Sequence, residues 1–144
     1  MRLLLLGCTG FVGRELLPLL LDAGHHLSVV SRRLPRGFDA ERADGRLQWL
    51  QLDPSRSQSW QVPELKEALQ QADGVVNLAG EPIAEKRWTP THRQLLETSR
   101  LETTRLLVEA ISASPAPPSV LVNASAVGFY GTSSSARFKE SSAP

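Results

Sequence analysis

Five short runs limit what this chain can fold into: Arg2–Leu6, His26–Ser31, Leu47–Leu52, whose alternation of apolar and polar residues suggests a strand nearer the sheet edge, Gly74–Leu78 and Ser119–Ala124. Each has the length of one strand, and the first is continuously apolar, as a strand buried on both faces would be. Between the runs, apolar residues recur at helical spacing. Val12, Leu16, Leu17, Leu19, Leu20 and Ala23 trace one face that stops at Gly24. Pro18 falls inside it and should kink that helix or remove one of its hydrogen bonds. Pro63–Ala72 predicts a second helix with Pro63 in its first turn. Thr91–Ser112 predicts a long third, with Leu95, Leu96, Leu101, Leu106, Leu107 and Ala110 on its apolar side. Arg32–Gly45 reads as a polar loop and Ser114–Pro118 as a Pro-rich stop. Strands alternating with helices imply an α/β fold with a parallel sheet, and right-handed crossovers make it doubly wound, with helices on both faces.

The first strand runs straight into Gly7-Cys8-Thr9-Gly10-Phe11-Val12-Gly13, a G-x-x-G-x-x-G turn that opens the first helix. Gly7 allows a sharp turn, Gly10 allows backbone to approach a pyrophosphate, and Gly13 allows the helix to pack closely on the strand. The free amides and positive dipole end of the helix then face the phosphates. Glycines also mark ordinary turns, but the strand–turn–helix context is that of a Rossmann-type dinucleotide site. The candidate contacts are Gly7, Thr9, Gly10, Phe11, Val12 and Gly13.

The end of the second strand bears on which dinucleotide. A free ribose 2′-hydroxyl usually meets an Asp or Glu there. This chain has Val30-Ser31-Arg32-Arg33, with no carboxylate before Asp39. A serine hydroxyl and guanidinium groups suit a 2′-phosphate, so Ser31, Arg32 and Arg33 point to NADP. A solvated arginine pair at a loop start is the alternative. Asp53, after the third strand, either accepts from an adenine amino group or starts the Asp-Pro turn, and the sequence leaves the two level.

Composition narrows the partners. Net charge over 144 residues is +1 and the arginines are scattered, so neither nucleic acid nor an acidic membrane surface is expected. Leu3–Leu6 is too short for a signal-peptide core of roughly 7–15 residues or a span of about 20. One cysteine, Cys8, cannot form an internal disulfide, which favours a reducing, cytoplasmic setting. The expected partner is a small-molecule substrate; no metal site is expected.

With those residues placed, the chain resembles the short-chain dehydrogenase/reductase superfamily. The likeness is to its NAD-dependent epimerase/dehydratase branch, and within that to an atypical group of nucleotide-sugar-epimerase-like and cell-division-inhibitor-like proteins. The matching segments are Gly7–Gly13, Ser31-Arg32-Arg33, Asn77–Ile83, Arg87-Trp88-Thr89, Ser99–Thr104 and Ser125–Gly131. They cover nearly the whole chain in the family's order. The resemblance implies that Asn77, Leu78, Ala79 and Gly80 lie along the cofactor's ribose and nicotinamide side. It leaves Glu81 either on a ribose or substrate hydroxyl or in solvent. It leaves Arg100 as a cofactor-side group or a surface guanidinium, and Trp88 in a pocket lining or capping the core.

Relatives use a Ser or Thr after the fifth strand and a Tyr-x-x-x-Lys pair one helix later, with Tyr as acid/base and Lys lowering its pKa. Ser125 stands at the first position. Tyr130 is the only tyrosine, and four residues on is Ser134, so the pair is missing. Tyr130 is the remaining catalytic candidate, although packing is the favoured role for its ring. The resemblance also implies a longer protein. Residues 1–131 would form the NADP(H)-binding domain, its sheet incomplete at the C-terminus. Residues 132–144 would form a Ser-rich loop or tail leading to a substrate region. An uncovered sheet edge would then favour self-association. The expected function is the NADP(H)-binding portion of an oxidoreductase or epimerase acting on a small polar, nucleotide-sugar-like substrate. The alternative is a non-enzymatic NADP(H) sensor or interaction protein; a module for another nucleotide would leave Ser31-Arg32-Arg33 without a purpose.

Overall fold

The structure, a computed structural model, describes residues 1–33, 37–125 and 127–143. Pro35 of the expected polar loop and Ala126 of the Ser125–Gly131 segment lie outside the described residues. In chain order the elements are β1 (Arg2–Leu6), α1 (Phe11–Asp22), β2 (His26–Ser31), α2 (Asp39–Ala43) and β3 (Leu47–Gln51). After a 3-10 turn at Ser57–Gln61 come α3 (Pro63–Gln70), β4 (Gly74–Asn77), α4 (Pro90–Ala113) and β5 (Val120–Asn123), then a 3-10 turn at Val127–Tyr130. All strand pairings are parallel, in the order β3-β2-β1-β4-β5. The direction of winding therefore reverses between β1 and β4, and in sheets of this kind ligands bind outside the carboxyl ends of the strands at that reversal.

Alternation along the strands divides the core in two. Leu5, Leu27, Val29 and Leu47 face Leu17 and Leu21 of α1, with Cys8 among them. Leu4, Leu6, Val30, Leu50 and Val75 point the other way, against Trp60, Leu65 and Leu69 and against Leu106 and Leu107 of α4. Each fully buried leucine contributes about 1.5–3 kcal/mol. The α1 layer is narrower than the sheet. Val122 pairs with Val76, which pairs with Leu5, so it shares the α1 face, yet Val120 and Val122 remain 46% and 53% exposed.

Two expectations change and one is met in part. The polar loop contains α2, whose Asp39 and Glu41 sit in its first turn, where the helix dipole favours them. None of its residues is buried, so no apolar period marked it. Helix α1 runs through Pro18 without a break, held by Leu17 and Leu21 against the sheet, and Pro18, having no amide hydrogen, leaves one helical bond unmade as expected. On α4, Leu95 and Leu101 face solvent, and His92 and Thr103 take buried places beside Leu96, Leu106 and Leu107. Positions 92, 96, 103 and 107 follow the helical repeat, whereas 95 and 101 fall off that stripe. Among the described residues no helix is long and apolar enough to cross a membrane.

Candidate functional site

The turn after β1 is built by exclusion. Gly7 has φ +77, and a Cβ on it would lie 2.5 Å from the Cα and N of Ala79 and 2.6 Å from the carbonyl carbon of Leu78. Only glycine combines that left-handed backbone with so close an approach to the end of β4. The ladder continues there, the Leu78 amide donating to the Leu6 carbonyl at 2.9 Å and that of Gly7 to Val30 at 3.3 Å. Gly13 is also closed in, its Cβ position 2.5 Å from the carbonyl carbon of Cys8 and 2.6 Å from the oxygen. Gly10 differs: a Cβ there meets only the Gly7 oxygen, at 3.6 Å. It caps α1 in an extended conformation without a side-chain oxygen, and the first turn holds no acidic residue. The amides of Phe11 and Val12 therefore begin a helix uncapped by any side chain, and both residues are exposed. Thr9 is half-buried beside them. Backbone donors with room in front of them are suited to an anion.

Beside this turn, the loops after β2 and β4 carry the charge. Ser31 is buried, and its hydroxyl donates to the Arg33 carbonyl at 2.5 Å. The Arg32 side chain is 61% exposed and lies 3.4 Å from Glu81, whose own side chain is only 10% exposed. Lys86 Nζ donates to the other Glu81 oxygen at 3.1 Å. These cations, Lys86 before Arg32, hold the Glu81 carboxyl below its ordinary range. Arg33 is exposed. The Glu81 backbone is fixed separately: its amide donates to Ser99 Oγ at 3.0 Å and its carbonyl accepts from Arg100 at 3.1 Å. Arg100 also donates to the Leu96 carbonyl at 3.0 Å and packs so closely on Gly80 that a Cβ there would lie 2.9 Å from the guanidinium carbon.

Asn77 is buried at the end of β4. Its oxygen accepts from the Ala79 amide at 3.1 Å, and its nitrogen donates to Asn123 at 2.7 Å and Thr104 at 3.4 Å. It thus ties β4, β5 and α4 together where the strands end. Asp53 accepts from the amide and hydroxyl of Ser55, at 3.1 and 2.7 Å, and pairs with Arg56 at 3.5 Å, so both its oxygens are engaged within one turn. Ser125 is exposed just past β5. The Tyr130 ring meets Phe129 edge-on at 5.1 Å and stacks on Phe138 at 5.8 Å. Trp88 lines an open hollow of about 350 Å³ with Ile83, Arg93, Leu96, Glu97 and Arg100. A cleft of about 170 Å³ lies at the opposite, amino-terminal edge of the sheet, away from the glycine turn.

The sequence profile described as the NAD dependent epimerase/dehydratase family matches residues 3–144. The chain belongs to that family. It is 37% identical to the human epimerase family protein SDR39U1 over 144 residues, 99% of this chain and 42% of that protein. It is 36% identical to epimerase family protein SH2119 of Staphylococcus haemolyticus over 129 residues, 90% of this chain and 38% of that one. The crystal structure of human SDR39U1 (isoform 2) with NADPH superposes with a TM-score of 0.74 at 35% identity, covering 99% of this chain and 42% of the human one. The chain therefore spans less than half the length of these relatives.

Within this epimerase/dehydratase fold, the glycine turn, Ser31, Arg32, Arg33, Ala79, Gly80 and Glu81 gather at the carboxyl ends of β1, β2 and β4. Asn77 turns inward to the β4–β5–α4 junction, Arg100 is committed to the loop backbone, and Asp53 to its own turn. Leu78 and Ala79 are half-buried at the edge of the core. Trp88 lines the hollow and does not cap the core. Four residues had no role in the sequence reading: Lys86, Ser99, Thr104 and Asn123. A lysine five positions after a carboxylate is too common a pattern to mark an ion pair. The other three act only through partners that folding brings near.

Proposed function

We propose that this chain is the NADP(H)-binding portion of an oxidoreductase or epimerase of the extended short-chain dehydrogenase type. Its substrate is small and polar, with nucleotide sugars the first class to test. The observation that carries the reading is the turn after β1, where Gly7 and Gly13 are sterically required and Gly10 leaves the first amides of α1 open. On this reading Gly7, Thr9, Gly10, Phe11, Val12 and Gly13 hold the pyrophosphate. Ser31, Arg32 and Arg33 hold the adenosine 2′-phosphate, and Ala79 and Gly80 border the second ribose. Family membership supports a nicotinamide dinucleotide, and the NADPH in the human relative supports the phosphorylated form. On this reading Ser125 hydrogen-bonds a substrate carbonyl. The bound nicotinamide would supply hydride exchange at its C4.

A second reading, a non-enzymatic NADP(H) sensor, is favoured by one observation: Tyr130 is packed between Phe129 and Phe138 and has Ser134 four residues on. Turnover assays of a longer relative with varied sugar and carbonyl substrates separate the two. For this chain, fluorescence titration with NADPH and NADH is the direct test. A charge-assisted hydrogen bond contributes about 1.5–3 kcal/mol. Arg32 is largely exposed, so Arg32→Asp should weaken NADPH by a factor nearer about ten than a hundred and move preference toward NADH. Equal NADPH affinity in wild type and variant would remove the 2′-phosphate assignment. A folded sample that binds neither dinucleotide would remove the whole reading.

A further inference from the structure

We infer that Glu81 sets the cofactor preference without touching the cofactor, because its carboxylate competes with a 2′-phosphate for Arg32. This rests on the NADP(H) reading above. Arg32 follows β2 and Glu81 follows β4, the two strands that flank β1, so the pair joins the loops on either side of the glycine turn. It lies beside the crevice at the carboxyl ends of the strands, where sheets of this kind bind a dinucleotide.

The two cations on Glu81 are unequal. Lys86 sits at 3.1 Å and Arg32 at 3.4 Å, on different oxygens. Arg32 is the one free to leave: its side chain is 61% exposed, while buried Ser31 anchors its backbone. When it leaves, Glu81 keeps Lys86, so no nearly buried carboxylate is left unpaired, which is the costly outcome of breaking such a pair. A phosphate dianion offers Arg32 more charge and more acceptors than a carboxylate already shared with an ammonium group. Lys86 therefore lowers the barrier to exchange and Glu81 raises it. NADH carries no 2′-phosphate and gains nothing from Arg32. The pair thus acts on one dinucleotide and not the other.

Glu81→Gln removes the competing charge and keeps the shape. Its backbone is held by Ser99 and Arg100, not by its side chain, so the loop should persist. The test is calorimetric titration at low salt with NADPH and NADH, on wild type, Glu81→Gln, Arg32→Ala, the double variant and Lys86→Met. With Arg32 largely exposed and Glu81 still held by Lys86, the loss of the Arg32 pair supports a gain of about two- to fivefold in NADPH affinity for Glu81→Gln. NADH affinity should stay within about 1.5-fold on the same scale. The gain should vanish once Arg32 is alanine. Lys86→Met leaves Arg32 as the sole cation on Glu81 and should weaken NADPH selectively. Glu81→Gln weakening NADPH, or shifting both dinucleotides equally, overturns the inference, since Glu81 would then touch a group they share, such as a ribose hydroxyl. If wild type prefers NADPH through Arg32 and Glu81→Gln changes nothing, this inference fails and the NADP(H) reading stands. If wild type binds neither dinucleotide, both fail.

Discussion

Replacing Gly13 by alanine tests how the turn after β1 is built. The new Cβ would lie 2.5 Å from the Cys8 carbonyl carbon and 2.6 Å from its oxygen, about 0.9 and 0.8 Å inside ordinary contact. The Cys8 Cα is closer still, and all three obstructing atoms are backbone, so no rotamer change relieves the clash. Either the first turn of α1 lifts from β1 or the Cys8 turn shifts. Both are resisted, because Leu17 and Leu21 anchor the helix and Cys8 is buried among Leu5 and Leu27. Overpacking of this kind costs about 1–3 kcal/mol or more. The better helix propensity of alanine returns less than about 1 kcal/mol. A net loss of about 1–2 kcal/mol lowers Tm by roughly 3–8 °C in a chain of this size. Urea unfolding followed by tryptophan fluorescence, with Trp60 buried in the core, reads the change. Gly10→Ala is the matched control, because its Cβ meets a single atom at 3.6 Å. Its stability should stay within about 1 kcal/mol of wild type. Its NADPH affinity should nevertheless fall at least about tenfold, because the methyl group stands before the open amides. A Gly13→Ala protein as stable as wild type, or Gly10→Ala as the less stable of the two, would refute this account of the turn.

Burial pushes the Cys8 thiol up to about 12. Native protein at pH 8 should therefore resist a thiol-specific disulfide reagent that labels it promptly in urea, and rapid native labelling would contradict the packing. Because the folded pKa lies above the unfolded one, the protective effect is complete below the unfolded value of about 8.5 and is lost as pH rises toward the folded value, at up to about 1.4 kcal/mol per pH unit. Denaturant midpoints from pH 8 to 10.5 should fall more steeply for wild type than for Cys8→Ala; parallel slopes would count against it. We also propose that the open half of the α1 face, around Val120 and Val122, drives self-association. Light scattering should show mass rising with concentration for wild type and less so for Val122→Lys, whereas a strictly monomeric wild type would end that proposal.

Much of the architecture was legible in the sequence because strands buried on both faces are short, largely apolar runs. Leu3–Leu6 is continuously apolar, and it and the short run His26–Ser31 could be little else than strands once helical periods lay between them. The glycine turn was legible for a related reason, since its constraints fall on backbone within a few residues of one another. Helix α2 was not, because it buries nothing, and neither were the exposed positions of Leu95 and Leu101, because a 24-residue helix with a weak apolar stripe does not declare which leucines face inward.

The order of residues along the chain by itself determined the α/β class, the placement of the glycine turn and the want of an acidic group after β2. Only tertiary structure decided what the polar side chains near that turn do. Asn77 faces Asn123 and Thr104, Arg100 is committed to the Glu81 carbonyl, and Glu81 is shared between Arg32 and Lys86. Most of these partners lie 19 to 49 positions apart. Periodicity reports which face of its own element a side chain takes; a hydrogen bond between elements depends on how the strands are ordered and how far each loop reaches, and those are properties of the assembled sheet.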